Sequence, residues 1–167
     1  MLSRVLSKTR TTAFILDGCC NSSLQMSDYH LVFVFGTLKA DFPNHRMLTD
    51  CECIGIYSTR YHYALYLVGP RYSPWLIDEQ GMGKYVSGEV YRVDNSTLSG
   101  LDKLERVSEA DGYFRTCIEL QHSVTNTPLV ANCYFKRKEQ LINAEIRLGP
   151  LTQYQPEHAL LYRPRWQ

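Results

Sequence analysis

With 167 residues, the chain has the length of one domain able to bury a hydrophobic core. Lys+Arg 18 against Asp+Glu 17 leaves a net charge of +1, and no long basic run breaks that balance, which argues against nucleic acid as a partner. No apolar run approaches the roughly 20 residues that a membrane-crossing helix requires, so no membrane partner is expected.

Residues 1–28 differ in composition from the rest of the chain. Met1 to Leu16 carries Arg4, Lys8 and Arg10, several Ser and Thr, and no acidic residue, a composition that suits a mitochondrial transit peptide. A disordered extension is the other reading, since Thr11 and Thr12 weaken a helix and Asp17-Gly18 ends it. The expected organisation is an extension over 1–28, disordered or targeting, and one domain over 29–167.

From Tyr29 onward the pattern is rich in strands. Leu31 to Phe35 is a compact apolar run with the length of a buried strand, and it stops at Gly36-Thr37-Leu38. Pro43 suits the first position of a short helix through Leu48. Ile54–Ser58, Tyr61–Val68, Tyr85–Val93, Arg115–Leu120 and Leu129–Lys136 read as strands. Gly69-Pro70, Gly81-Met82-Gly83, Asp111-Gly112 and Asn126-Thr127-Pro128 supply the turns between them. Lys136-Arg137-Lys138, relieved at once by Glu139, reads as a solvated turn after the last strand. The tail from Leu148, with Pro150, Pro156 and Pro164, reads as an extended wrap over the surface. The fold class is therefore α+β, a small mixed fold with a strongly curved, barrel-like sheet and few helices.

The six cysteines (Cys19, Cys20, Cys51, Cys53, Cys117 and Cys133) form no Cys-x-x-Cys pair and match no zinc framework. No metal site is expected. Free thiols in a reducing, cytoplasmic compartment are expected, with mitochondria as the alternative through residues 1–16.

The one clear helix runs from Asn95 to Glu105, with Asp94 or Ser96 as its N-cap. At about 100° per residue, Leu98, Leu101 and Leu104 form an apolar stripe. Glu105 projects between Leu98 and Leu101. A carboxylate aimed at a core is costly unless paired or protonated, and desolvation raises its pKa toward neutrality, where it can accept and return a proton. The competing reading is a helix-end glutamate that swings to solvent or pairs with Arg106 or Arg115. The junction Phe35-Gly36-Thr37-Leu38 is the second candidate. Glycine there permits a dihedral that other residues resist and leaves space for a ligand. Successive N–H groups leaving the turn can form an anion cradle, although a strand ending in Gly-Thr is also a common structural turn. His45 is a weaker candidate base, as a histidine near a helix start more often bonds to backbone. Trp75 lines a pocket or packs in the core.

Phe35-Gly36-Thr37-Leu38-Lys39, Pro43-Asn44-His45-Arg46, Pro74-Trp75-Leu76, Gly88-Glu89-Val90-Tyr91, Leu101-Asp102 through Glu105, and Tyr113-Phe114-Arg115 follow one another in order. Together they resemble the γ-glutamyl cyclotransferase superfamily, most closely the γ-glutamylamine cyclotransferases, over about Leu31 to Arg163. The resemblance implies a small fold around a strongly curved sheet. It implies that Phe35, Gly36, Thr37 and Leu38 hold a γ-glutamyl group and that Glu105 is the catalytic acid/base. The loop's usual Tyr is Phe35 here, which puts ligand orientation and rate in question more than binding. Arg115 either pairs with Glu105 or covers the sheet edge.

The implied reaction needs no metal or cofactor: the γ-glutamyl α-amine attacks its own γ-carbonyl, giving 5-oxoproline and a free amine. The implied partner is a small-molecule γ-glutamyl substrate, and a monomer is expected. Two alternatives stand beside a γ-glutamylamine cyclotransferase. One is a cyclotransferase for ordinary γ-glutamyl amino acids. The other is a non-catalytic binding module that keeps the pocket.

Overall fold

Leu31 to Phe35 is apolar at every position because both faces of this segment are covered. Phe33 and Phe35 enter one buried cluster, with Val90, Ile118, Leu120 and Phe135. Val32 and Val34 enter a second, with Tyr91, Val93, Leu98 and Leu101. The period-two alternation of a strand thus feeds two cores at once.

The computed structural model describes residues 28–165; the extension expected over 1–28 lies, apart from Asp28, outside the described residues. The elements are β1 (Tyr29–Val34), a 3₁₀ turn (His45–Met47), β2 (Glu52–Thr59), β3 (Leu65–Val68), β4 (Ser73–Leu76) and β5 (Ser87–Asp94). They continue with α1 (Asn95–Leu104), β6 (Phe114–His122), β7 (Pro128–Phe135), a second 3₁₀ turn (Lys138–Leu141), β8 (Ile146–Leu148) and α2 (Pro156–Leu161). Strands β1-β5-β2-β6-β7 close into a barrel, and β4-β3-β8 form a second sheet. Every barrel pairing is antiparallel except the closing one, where Val32 of β1 meets Asn132 of β7 in parallel. The mixed fold with a barrel-like sheet is as the sequence suggests. No helix among the described residues is long and apolar enough to cross a membrane.

One cluster fills the barrel and runs on to Leu65 and Leu76 of the second sheet. The other lies outside the barrel, where α1 packs on β1 and β5. Close strand approach explains Gly88: a Cβ there would lie 2.4 Å from the Val34 carbonyl oxygen. Arg115 ties α1 to the barrel. Its guanidinium grips Asp102 through two bonds (2.8 and 3.2 Å) and reaches Asn132 Oδ1 (3.1 Å), while Tyr134 donates to Asp102 (2.7 Å). Such a forked pair fixes orientation as well as charge. Arg115 is thus committed to Asp102, not to Glu105.

Several expectations need correction. β3 begins at Leu65 rather than Tyr61, since Tyr63 makes only an isolated bridge to Lys84. The first 3₁₀ turn begins at His45, with Asn44 rather than Pro43 next to its start. β4 and β8 are additional to the strands expected. β4 carries Pro74, which removes a donor and suits an edge strand. The tail is not an extended wrap: Pro156 opens α2, and Tyr154 is fully buried against Phe42 with ring centroids 5.4 Å apart. Lys136 is not solvated but 2% exposed. Cys133 is a free thiol, whereas Cys117 is disulfide-bonded, against the expectation of free thiols throughout.

Candidate active site

The site starts at the end of α1. Asp94 caps the helix by accepting from Thr97 N–H at 2.7 Å, and Leu98 and Leu101 bury its apolar face. Glu105 follows as the C-cap, its N–H bonded to Leu101 O (2.9 Å) and its carbonyl accepting from Tyr113 N–H (3.0 Å). The chain then turns sharply. Arg106 takes a left-handed conformation (φ 55°), and its N–H reaches Lys103 O while that of Val107 reaches Asp102 O. This pair of bonds is a Schellman closure. A non-glycine residue in that region costs roughly 1 kcal/mol, which the surrounding contacts offset. Arg106 itself pairs with Asp111 at 2.9 Å, so it too is not held by Glu105. The backbone of Glu105 is thereby clamped on both sides, and its side chain faces a cavity of about 1180 Å³.

The loop after β1 forms another wall of the same cavity, through Phe35, Gly36, Thr37 and Leu38. Its shape is set by residues from several separate stretches of the sequence. Lys39 N–H closes a turn on Gly36 O (3.2 Å). Asn44 holds Thr37 twice, backbone N–H to carbonyl (2.8 Å) and side-chain amide to hydroxyl (2.9 Å). Glu89 accepts from Ala40 N–H and from Tyr91 OH, both at 2.8 Å. Lys39 Nζ reaches across to Tyr154 O (2.6 Å). These contacts occupy the loop's flanks. The N–H groups of Gly36, Thr37 and Leu38 donate to no group among the described residues. Consecutive unspent donors beside a cavity can form an anion cradle. Gly36 is not needed there for a left-handed dihedral, since it is absent from the positive-φ glycines. The reason is space, because a Cβ would lie 2.7 Å from Pro74 Cγ.

Burial pushes the Glu105 carboxyl up to about 7, against the opposing pull of Lys136 and Arg165. The side chain is half-open to the cavity, but protein surrounds it on the remaining sides, and desolvation wins. Tyr113 lies beside it. Burial and the Glu105 charge push its phenol well above the ordinary value, and its hydroxyl donates to Pro74 O (2.9 Å). Trp75 also lines the cavity. Lys136 completes this wall, its ammonium 4.6 Å from the Trp75 ring centroid and 4.4 Å from that of Tyr113. Desolvation lowers its pKa to about 8.

The structure therefore brings Glu105 and the 35–38 loop to one cavity. His45 does not join them; its Nδ1 contacts Leu38 O at 3.2 Å, the backbone role expected for it. His62 packs edge-on against Tyr85, and His158 accepts from Gln155 N–H at 2.9 Å at the start of α2. Sequence reasoning missed Lys136. Strand alternation puts it on the same face as Tyr134, but that this face packs under α1 is visible only in the fold. The neighbouring basic residues masked it.

Comparison with known proteins gives the family. Residues 32–154 match the family described as gamma-glutamyl cyclotransferase, AIG2-like. The chain is similar to the gamma-glutamylaminecyclotransferases of cattle (36% identical over 80% of this chain and 82% of that one) and human (32% over 81% and 97%). It is 40% identical to gamma-glutamylaminecyclotransferase C of zebrafish, a match spanning 58% of this chain and 64% of that protein's length. A crystal structure of an AIG2-like protein from mouse superposes with a TM-score of 0.70 at 28% identity, covering 83% of this chain and 98% of the mouse one. The chain belongs to the γ-glutamyl cyclotransferase, AIG2-like family.

Proposed function

We propose that this chain is a γ-glutamylamine cyclotransferase, with Glu105 as acid/base and the Phe35–Leu38 loop as the γ-glutamyl cradle. One observation carries the reading: the unspent amides of Gly36, Thr37 and Leu38 share a cavity with a carboxyl poised at about 7. The loop amides bind the substrate α-carboxylate. Glu105 takes a proton from the α-ammonium, since an ammonium is no nucleophile. The freed amine attacks the γ-carbonyl, forming the lactam C–N bond as the bond to the departing amine breaks. Two protons leave the α-nitrogen, and Glu105 relays them to the leaving group, which departs as an ammonium. No electrons change hands, so the balance closes without a redox cofactor. A positioned acid/base of this kind contributes about 10²–10⁴-fold, and holding amine and carbonyl together adds an entropic gain. The test is incubation of the purified chain with a panel of γ-glutamyl compounds. Release of 5-oxoproline supports the reading, and its absence across the panel overturns it.

Within that panel γ-glutamyl-ε-lysine is expected to exceed glutathione and γ-glutamyl-alanine. An ε-lysyl leaving group places methylenes next to the scissile nitrogen, where a peptide places a carbonyl and a side chain. A wall containing Trp75 favours methylenes by about 1–3 kcal/mol, or roughly 10–200-fold in kcat/KM. Equal kcat/KM for glutathione or γ-glutamyl-alanine would favour the γ-glutamyl amino acid reading and leave the reaction class standing.

Phe35 motivates the second reading, a binding module with little turnover, because the hydroxyl of the family's Tyr is missing. Against it, Phe35 is only 6% exposed and packs on Phe33, so most of its ring serves the barrel core. Phe35→Tyr is expected to fold and to match or exceed the wild-type rate. A loss of about tenfold (1.4 kcal/mol) or more would mean that the pocket is built for the bare ring.

A further inference from the structure

Lys136 has no part in the chemistry described so far, yet its burial is costly. Its side chain is 2% exposed, and an ammonium removed from water needs compensation. The compensation is a donated bond to Asp111 O and the faces of Trp75 and Tyr113. Among the described residues no carboxylate pairs with it within ion-pair distance. Backbone bonds from Lys136 N–H to Leu76 O (2.8 Å) and from Asp78 N–H to Lys136 O (2.9 Å) hold the residue in place. A methionine would fill the same channel. What the ring cage holds is a positive charge in the wall that also carries Glu105.

We propose that Lys136 is a positioning cation for Glu105, its caged ammonium keeping the buried carboxylate ionised and ready to take the substrate proton. The inference rests on the proposed role of Glu105. The other groups around the carboxylate are accounted for. From β7 and its end come Cys133, Tyr134 and Lys136, from the segment after α1 comes Tyr113, and from the tail comes Arg165. The Tyr and Cys groups are held neutral by burial. Arg165 is exposed and screened by solvent. Asp111 is tied to Arg106 at 2.9 Å. That leaves Lys136 as the buried opposite charge. Asp111 pulls on Lys136 more strongly than Glu105 does, and the Coulomb pull between Lys136 and Glu105 acts on both of these partners.

Without the ammonium, only the solvent-screened Arg165 opposes the burial of Glu105, and the carboxyl holds its proton to higher pH. The experiment is a ¹³C NMR titration of the Glu105 carboxyl, assigned by its loss in Glu105→Gln, in the wild type, Lys136→Met and Lys136→Arg. Expected is an upward move of the midpoint by about one pH unit in Lys136→Met, largely reversed in Lys136→Arg. The acid limb of kcat/KM for γ-glutamyl-ε-lysine is expected to move with it. An unmoved midpoint in folded Lys136→Met overturns the proposal. Coupling is reciprocal, so the Lys136 ¹³Cε titration in Glu105→Gln gives an independent reading that needs no Lys136 variant. A fall in its midpoint supports the coupling and a stationary one overturns it. If the wild type forms no 5-oxoproline while both titrations shift, the cyclotransferase reading fails and the electrostatic pairing stands.

Discussion

Glu105→Gln is expected to cut turnover by about 10²–10⁴-fold while making the protein more stable at pH 8. The amide keeps the shape of the side chain and removes the proton acceptor, which accounts for the first effect. The second follows from the direction of the pKa shift. Burial raises the folded-state value to about 7 from the ordinary 4.5, so the native state binds the proton more tightly than the unfolded chain does. Stability therefore falls as pH rises from about 4.5 to 7, and the penalty is complete above that range. The substituted amide mimics the neutral acid at every pH. The variant should gain about 1–3 kcal/mol at pH 8 and nothing below pH 4.5. The shift to about 7 already includes the opposing attraction of Lys136. Release of 5-oxoproline and thermal melts at pH 4 and pH 8 check the two halves separately. A variant keeping about a third of the wild-type kcat would remove Glu105 from the chemistry. A variant no more stable than wild type at pH 8 would mean that the carboxylate is better solvated than its position implies.

The same carboxyl shows why some of the site could be read before the fold was known. The positions of Leu98, Leu101 and Leu104 fix the helix face, and local periodicity then fixes the direction of Glu105. The 35–38 loop was legible because a buried strand must end in a turn. The missing pieces all depend on long-range pairing. Arg115 is drawn to Asp102 rather than Glu105 because β6 and β7 run antiparallel and bring Asn132 and Tyr134 under the helix. Lys136 looked solvated because its neighbours Arg137 and Lys138 are. Only the packing of β4 and the segment at Asp111 roofs it over. Tyr154 looked like part of a proline-rich wrap, but its burial depends on Lys39 and Phe42, more than a hundred residues away in sequence. Local patterns reveal direction and period; they do not reveal which distant segment fills the space that remains.

Gly36→Val is expected to damage the site from the other side. The objection to a side chain at position 36 is not backbone strain but the ring of Pro74, whose Cγ would stand 2.7 Å from the new Cβ. Pro74 has little freedom to retreat: it is buried in β4, pairs with Leu67 and accepts from the Tyr113 hydroxyl through its carbonyl at 2.9 Å. A displaced Pro74 carries Trp75 with it, and so disturbs the rings that hold Lys136. The alternative is for the loop to move outward, which misaims the N–H groups of Gly36, Thr37 and Leu38. Overpacking of this kind costs about 1–3 kcal/mol, and a β-branched residue has few rotamers with which to escape it. Gly36→Ala meets the same ring with one carbon rather than three, so the order of kcat/KM should be Gly above Ala above Val. The valine variant should lose at least about tenfold (1.4 kcal/mol). Normal turnover in Gly36→Val would remove the loop from substrate binding. A lowered melting temperature with kcat/KM intact would assign Gly36 to packing against Pro74 alone.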